Sequence, residues 1–110
     1  MSDRNKVVLI LVTAPDVQVA EGLARRLVEE RLVACVNILP GLRSIYRWQG
    51  EVEDSAEALL LLKARRVDVP EISERVRALH PYQTPEVIAT EIVDGLADYL
   101  DWIGAETERE

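Results

Sequence analysis

The chain contains little of what most small catalytic and metal sites are built from. Among its 110 residues there are one cysteine, one histidine, two lysines and no phenylalanine. A single cysteine excludes a disulfide within one chain and any CxxC metal or redox motif. The first apolar run, 7–12, is far shorter than the ~18 residues of a membrane span and lacks the flanks of a signal peptide. We therefore expect a cytoplasmic protein.

Positive charge is also scarce. The chain has 20 acidic and 13 basic residues, which gives a formal net charge of −7. Such a surface repels phosphate backbones and anionic lipid, so we expect neither nucleic acid nor a membrane as a partner. Hydrophobic residues make up 48% of the chain, which is enough for one domain with its own aliphatic core. We predict a single domain over 1–110, with its core at about 7–103 and a frayed tail at 104–110.

Apolar patterning predicts six main elements in the order strand, helix, strand, strand, helix, strand. Val7–Val12 and Leu59–Leu62 are continuous aliphatic runs, which are typical of central strands buried on both faces. Two other segments repeat apolar residues at helical spacing. The first contains Ala20, Leu23, Ala24, Leu27 and Val28 after a capping Asp16, and the second contains Val69, Ile72, Val76 and Leu79.

Turn and capping residues set the remaining boundaries. Asp68 followed by Glu71 predicts a capping box at the second helix, and Pro81 ends that helix. The other predicted elements are a strand from Ala34 to Tyr46 interrupted at Pro40-Gly41, a turn at Trp48–Gly50, a strand from Ala56 to Ala64, a last strand from Val87 to Val93 and a short helix from Asp98 to Ile103.

This order of elements is the split βαβ pattern. It predicts an α+β, ferredoxin-like antiparallel sheet with helices on one face and the first and third strands in the centre. The second strand then lies at an edge and carries Leu42, Ile45, Tyr46 and Trp48 beyond its proline. Because one chain offers this apolar segment no partner, we predict that it lies in an interface between copies.

Several segments resemble the CutA family of divalent-cation tolerance proteins. They are Val12–Pro15, Leu27–Gly41, Ser44–Gly50, Lys63, Leu79–Glu86 and Tyr99–Ile103, and the Ala-Cys-Val-Asn and His-Pro-Tyr-Gln-Thr-Pro-Glu stretches are the specific ones. The resemblance implies a homotrimer of ferredoxin-like subunits, an architecture akin to PII-type signalling trimers, and a non-enzymatic binding or sensor role in tolerance of copper and other divalent cations.

The copper site proposed for some members of that family is incomplete in this sequence. Its ligands are a cysteine before the Thr-Ala-Pro turn and two successive histidines, and here Val12 and Leu79 replace the cysteine and the first histidine. His80 alone is not a transition-metal site, so we expect weak copper binding at most. We expect His80 to contact the last helix carbonyls. Cys35, with apolar neighbours and no visible positive charge, is expected to pack as a small hydrophobe.

Polar and aromatic residues within the resembling segments define a candidate ligand cleft between subunits. Its members are Lys63, Tyr82, Glu86 and Trp48. Lys63 is expected at the end of a central strand close to Tyr82, where its ammonium needs a partner. Either Glu86 neutralises it within the protein, or a small carboxylate or phosphate ligand does. Two alternatives stay open: Tyr46 and Trp48 serve trimer packing, or the chain is a small enzyme acting on a phosphate or carboxylate substrate at such clefts.

Overall fold

The computed structural model describes residues 6–109. Residues 1–5 and 110, which the sequence assigns to the same domain, lie outside the described residues. The elements are β1 (Val7–Ala14), α1 (Val17–Glu29), β2 (Cys35–Trp48), β3 (Glu51–Arg65), α2 (Val69–Leu79), β4 (Ile88–Glu91) and α3 (Ala97–Glu106), with one 3-10 turn at Arg66–Asp68 before α2. No helix in this part of the chain is both long and apolar enough to cross a membrane.

The four strands form one antiparallel sheet in the order β2-β3-β1-β4. Leu11 of β1 lies opposite Leu61 of β3 on one side and opposite Ile88 of β4 on the other. The predicted ferredoxin-like α+β fold is therefore confirmed, with the first and third strands in the centre and the second and fourth at the edges. Assembly into a trimer remains a prediction.

One face of the sheet packs against α1 and α2 and forms the main core. Ile10 and Val12 of β1 and Leu60 and Leu62 of β3 are fully buried there. The helices contribute buried apolar residues at the predicted spacing, namely Ala20, Leu23, Ala24 and Leu27 from α1 and Ile72 and Val76 from α2. We call this side of the sheet the covered face.

The opposite side, here called the open face, carries no such layer. Leu9, Leu11, Leu59 and Leu61 point to it and are only partly buried. The prediction that the central strands are buried on both faces is therefore wrong for the single chain, because both long helices lie on one side. α3 covers only one end of the open face, where Ile103 packs with Val7 and Ala34.

The β2–β3 pair is longer and more regular than predicted. β2 runs without a break from Cys35 to Trp48, and Pro40-Gly41 forms a bulge between Leu39 and Leu42 rather than an interruption. Gln49 and Gly50 both have positive φ, as a two-residue type I′ turn requires, so pairing continues to Trp48 and Glu51. We call residues 42–57 the hairpin arm; it contributes to a molecule 45 Å long and 25 by 22 Å across.

The C-terminal end of the described chain is ordered by specific contacts. α3 extends to Glu106, and the Thr107 hydroxyl donates to the Ile103 carbonyl at 2.9 Å. Arg109 Nη2 donates to Asp68 Oδ1 at 2.9 Å. The predicted frayed tail is therefore wrong for 104–109. The predicted capping box is wrong as well, because the Asp68 side chain binds arginines and caps no backbone N–H of α2. β4 is shorter than the predicted 87–93.

Candidate functional site

A cavity of about 710 Å³ lies between the hairpin arm and the segment that follows α2. Elements distant in sequence form its wall: the end of β1, both strands of the arm, and the loop before β4. The lining residues are Thr13, Ser44, Ile45, Tyr46, Trp48, Glu57, Pro81, Tyr82, Gln83, Thr84 and Glu86. Three aromatic rings and two carboxylates are thus gathered around one space.

A buried carboxylate and a tyrosine form the inner polar contact of this cavity. Glu57 is only 7% exposed, and the Tyr82 hydroxyl donates to its Oε2 at 2.7 Å. Burial first, and then the neighbouring Glu57 carboxylate, raise the pKa of Tyr82 far above its usual value of 10.0. Tyr82 therefore remains a protonated hydrogen-bond donor at any physiological pH.

His80 holds the Tyr82 segment against the end of β1. Its Nδ1 accepts from the Tyr82 backbone N–H at 3.1 Å, so the proton is on Nε2, which donates to the Thr13 carbonyl at 2.7 Å. The ring centroids of His80 and Tyr82 are 4.6 Å apart. The predicted contact of the ring with the last helix carbonyls is wrong, because the imidazole bridges α2 to β1 instead.

The residues around His80 do not fit the metal site that the family name suggests. Both ring nitrogens already bind backbone groups, and the ring is buried. Val12 is fully buried in the core and Leu79 packs against that core. Within residues 6–109 no group of three or more histidine, cysteine, aspartate or glutamate side chains is placed to hold a metal ion.

The structure brings three of the four predicted cleft residues together and separates the fourth. Trp48, Tyr82 and Glu86 line the cavity, whereas Lys63 does not. Lys63 lies six positions beyond Glu57 on the same strand, a separation of about 20 Å at the usual strand rise. The expected closeness of Lys63 to Tyr82 is therefore wrong within one chain, because the segment after α2 returns to the opposite end of β3.

Lys63 instead lies beside Cys35. The two residues are directly opposite each other in the β2–β3 register, and Nζ lies 3.8 Å from Sγ. Nζ also contacts the Asn37 side-chain oxygen. Burial first, and then the neighbouring Cys35, raise the pKa of the Tyr99 phenol on α3. The positive charge near Cys35 that the sequence did not reveal is thus supplied by strand pairing, and the thiol is only partly buried.

The predicted interface residues lie on the arm, where the single chain leaves most of them exposed. Ile45 is 69% exposed, Tyr46 41% and Trp48 39%, while Leu42 is partly buried. Sequence reasoning missed Glu57 as a site residue. Its available signal was period-two alternation, which places it on the same side of β3 as Leu59 and Leu61.

The fold and cavity define a ferredoxin-like α+β domain with a long hairpin arm and an acidic, aromatic-lined cleft. Comparison with known proteins agrees with this class. The chain belongs to the family described as CutA1 divalent ion tolerance protein, whose family model matches residues 8–106.

Relatives in that family include bacterial, plant and animal proteins. The chain is 54% identical over 99 residues to the divalent-cation tolerance protein CutA of Thermus thermophilus, covering 90% of this chain and 96% of that one. It is 42% identical to the chloroplastic protein CutA of Arabidopsis thaliana over 87% of this chain, and it spans about half (53%) of that relative's length. The solved structure of the Thermus thermophilus protein superposes with a TM-score of 0.90 at 52% identity, covering 93% and 99% of the two chains.

Proposed function

We propose that this protein is a homotrimeric, non-enzymatic binding protein that acts in divalent-cation tolerance, with an architecture akin to PII-type signalling trimers. Ligand binding at the cleft would alter contacts between the trimer and a downstream partner. Family membership supports the link to cation tolerance, and the geometry of the sheet supports assembly.

The open face is the observation that carries this proposal. Leucines from both central strands meet there, since Leu11 lies opposite Leu61 and Leu59 lies opposite Thr13 and Leu39. Edge-strand residues extend the apolar surface, with Leu39 46% exposed and Ile88 56% exposed. Contiguous apolar surface of this kind is typical of protein–protein interfaces. A second copy of the chain is the simplest partner for the open face and the arm, with the cavity left as a cleft between the two copies.

Direct copper binding at His80 is not part of this proposal. The ring nitrogens of His80 are engaged and its neighbours Val12 and Leu79 are apolar. Any divalent cation is expected to bind weakly, and we propose that cation tolerance depends on the cleft or on a partner rather than on a closed ligand set.

The enzymatic alternative receives little support from the cavity. An anionic phosphate or carboxylate substrate needs cationic donors to hold it, and among the described residues no lysine or arginine lines the cavity. We propose the cytoplasm as compartment, in line with the unpaired thiol of Cys35.

Native mass spectrometry and calorimetry test the proposal on the full chain. We expect a species of three times the 12.4 kDa chain mass. Titration of tag-free protein with Cu(II) in a non-chelating buffer should give weak heats that are unchanged in His80→Ala. A monomer at micromolar concentration would refute the trimer. A tight, stoichiometric copper site that is lost in His80→Ala would refute the proposal that this chain binds divalent cations only weakly.

A further inference from the structure

The hairpin arm carries its arginines on one face and its glutamates on the other. On the face that carries Glu57, the register pairs Trp48 with Glu51 and Tyr46 with Glu53. Directly opposite residues share a face of the sheet. One face of the arm therefore combines aromatic rings with a row of three glutamates, and it leads into the cavity at Glu57.

The arginines of the arm lie on its other face. Arg43 lies opposite Ala56 and Arg47 lies opposite Val52, which places both on the side away from Glu57. Arg43 is also held by Asp54, with its Nε 2.8 Å from Oδ1 and its Nη2 2.9 Å from Oδ2. Neither arginine is among the cavity lining, and the charged residues that line it within the described part of the chain are Glu57 and Glu86.

Glu57 has hydrogen-bonding capacity left for a ligand. Its Oε2 accepts from Tyr82, which is the one hydrogen bond to this carboxylate found among residues 6–109. Its Oε1 is not sealed in the interior, since no fully buried side-chain oxygen in that part of the chain lacks a partner. The side chain is more than nine-tenths buried and lines the cavity. A buried carboxylate is costly unless it is paired and hydrogen-bonded, and a cationic N–H donor in the cavity would supply both.

The cavity walls suit a cation with an apolar body. Tyr46, Trp48 and Tyr82 present aromatic rings, and such rings attract ammonium and guanidinium groups through their negative faces. A bare divalent ion would need three or more ligands at fixed geometry, and no such group exists among the described residues. The chemistry therefore favours an organic cation over a metal ion and over the anion expected from Lys63.

We propose that this cavity binds a small organic cation with at least one N–H donor, such as a primary ammonium or a guanidinium group, through Glu57 and the aromatic walls. The inference rests on the proposed function in one respect, namely that the cleft is a ligand site. It assigns the class of ligand, with Glu57 Oε1 as the anchoring acceptor and Glu86 as a second negative charge at the rim.

Three probes of similar shape and different charge test the proposal on the assembled protein. Benzylammonium, benzyl alcohol and benzoate are titrated by calorimetry, and by the fluorescence of Trp48 in a Trp102→Phe background. We expect saturable binding of benzylammonium at millimolar concentrations or below, and none of the alcohol or of benzoate. Saturation by benzoate, or by none of the three, would overturn the proposal.

Two variants locate the binding and separate charge from folding. Glu57→Gln keeps an acceptor for Tyr82 and should weaken benzylammonium binding about tenfold or more, because a charge-assisted hydrogen bond is lost. Glu29→Gln, an exposed change on α1, removes one negative charge elsewhere and should leave the affinity unchanged. If Glu57→Gln does not fold, the exposed Glu86→Gln serves as the second variant, with a smaller expected loss.

Mass spectrometry of the same samples separates the two proposals. An intact trimer that binds no benzylammonium refutes the cation site and leaves the trimeric function standing. A monomer that binds benzylammonium through Glu57 refutes the trimer and supports the site. Undiminished benzylammonium affinity in both Glu57→Gln and Glu86→Gln overturns the cation site in either case.

Discussion

The two faces of the central strands contain the same kind of residue and differ in what covers them. Leu60 and Leu62 of β3 are fully buried under the helices, whereas Leu59 and Leu61, their immediate neighbours, are partly exposed on the open face. A continuous leucine run therefore serves two purposes. Alternate residues form the core of the domain, and the residues between them form the apolar surface on which the proposed assembly rests.

The largest effect is expected on the covered face. Leu62→Ala should lower the free energy of unfolding by about 2–5 kcal/mol, because it leaves a cavity in a core with little room to relax. Leu61→Ala is the matched variant, one position away on the open face. In the monomer it should lower the free energy of unfolding by less than Leu62→Ala does. Urea unfolding of both variants at dilute concentration measures the difference. Equal losses would contradict the distinction between the faces.

Substitutions on the open face should weaken assembly more than substitutions on the helical side of the sheet. Leu61→Lys places a charge on the open face and should convert the proposed trimer largely to monomer, since a residue central to an interface commonly contributes about 2 kcal/mol or more. Val28→Lys, at a 41% exposed position of α1, is the control on the helix side and should remain trimeric. Native mass spectrometry and gel filtration report both. A trimer that persists in Leu61→Lys would show that the open face is not the interface.

The fold could be predicted from the sequence because its signals are local. Strand and helix periods differ, and the order of elements leaves one plausible sheet. What failed were statements that depend on neighbours across the sheet. Burial on both faces of Leu59–Leu62 required a second helical layer, which residues 6–109 do not contain. The arm extends further because Gln49-Gly50 forms a tight turn.

The candidate site was predicted only in part, because it too depends on neighbours across the sheet. Trp48, Tyr82 and Glu86 were found, yet Glu57 was missed because an isolated glutamate before an apolar run reads as a solvated residue. Lys63 was assigned to the wrong end of its strand. The register pairs Glu57 with Leu42 and Lys63 with Cys35. These pairings place the acidic cavity and Lys63 at different positions along β3, which the sequence alone does not show.

An intermediate effect is expected where α3 closes one end of the open face. Arg109 binds the buried Asp68, which is 7% exposed and also contacts Arg65. Arg109→Met should lower the free energy of unfolding by about 1–3 kcal/mol, because it removes a hydrogen bond to a charged group. Arg77→Met is the control, since Arg77 is exposed and its Nη1 is 3.9 Å from Glu74. Urea unfolding with equal losses in both variants would contradict a specific role for Arg109.

The smallest effect is expected on the outer side of the helical layer, where Arg75 of α2 binds Glu30 after α1. Arg75 Nη2 lies 2.7 Å from Glu30 Oε2, and its Nε lies 2.8 Å from Oε1. The hydrogen bonds from Arg75 hold the pKa of Glu30 below its usual 4.5. The folded state thus favours the carboxylate, so this stabilisation is present above pH 4.5 and is lost as the pH falls through the lowered pKa. Arg75→Met should therefore be less stable than the parent at neutral pH, and the difference should shrink in acid. Free energies of unfolding measured at neutral pH and below pH 4.5 test this change, with the exposed Arg25→Met as control. A stability difference that does not depend on pH would show that the ion pair between Arg75 and Glu30 does not stabilise the fold.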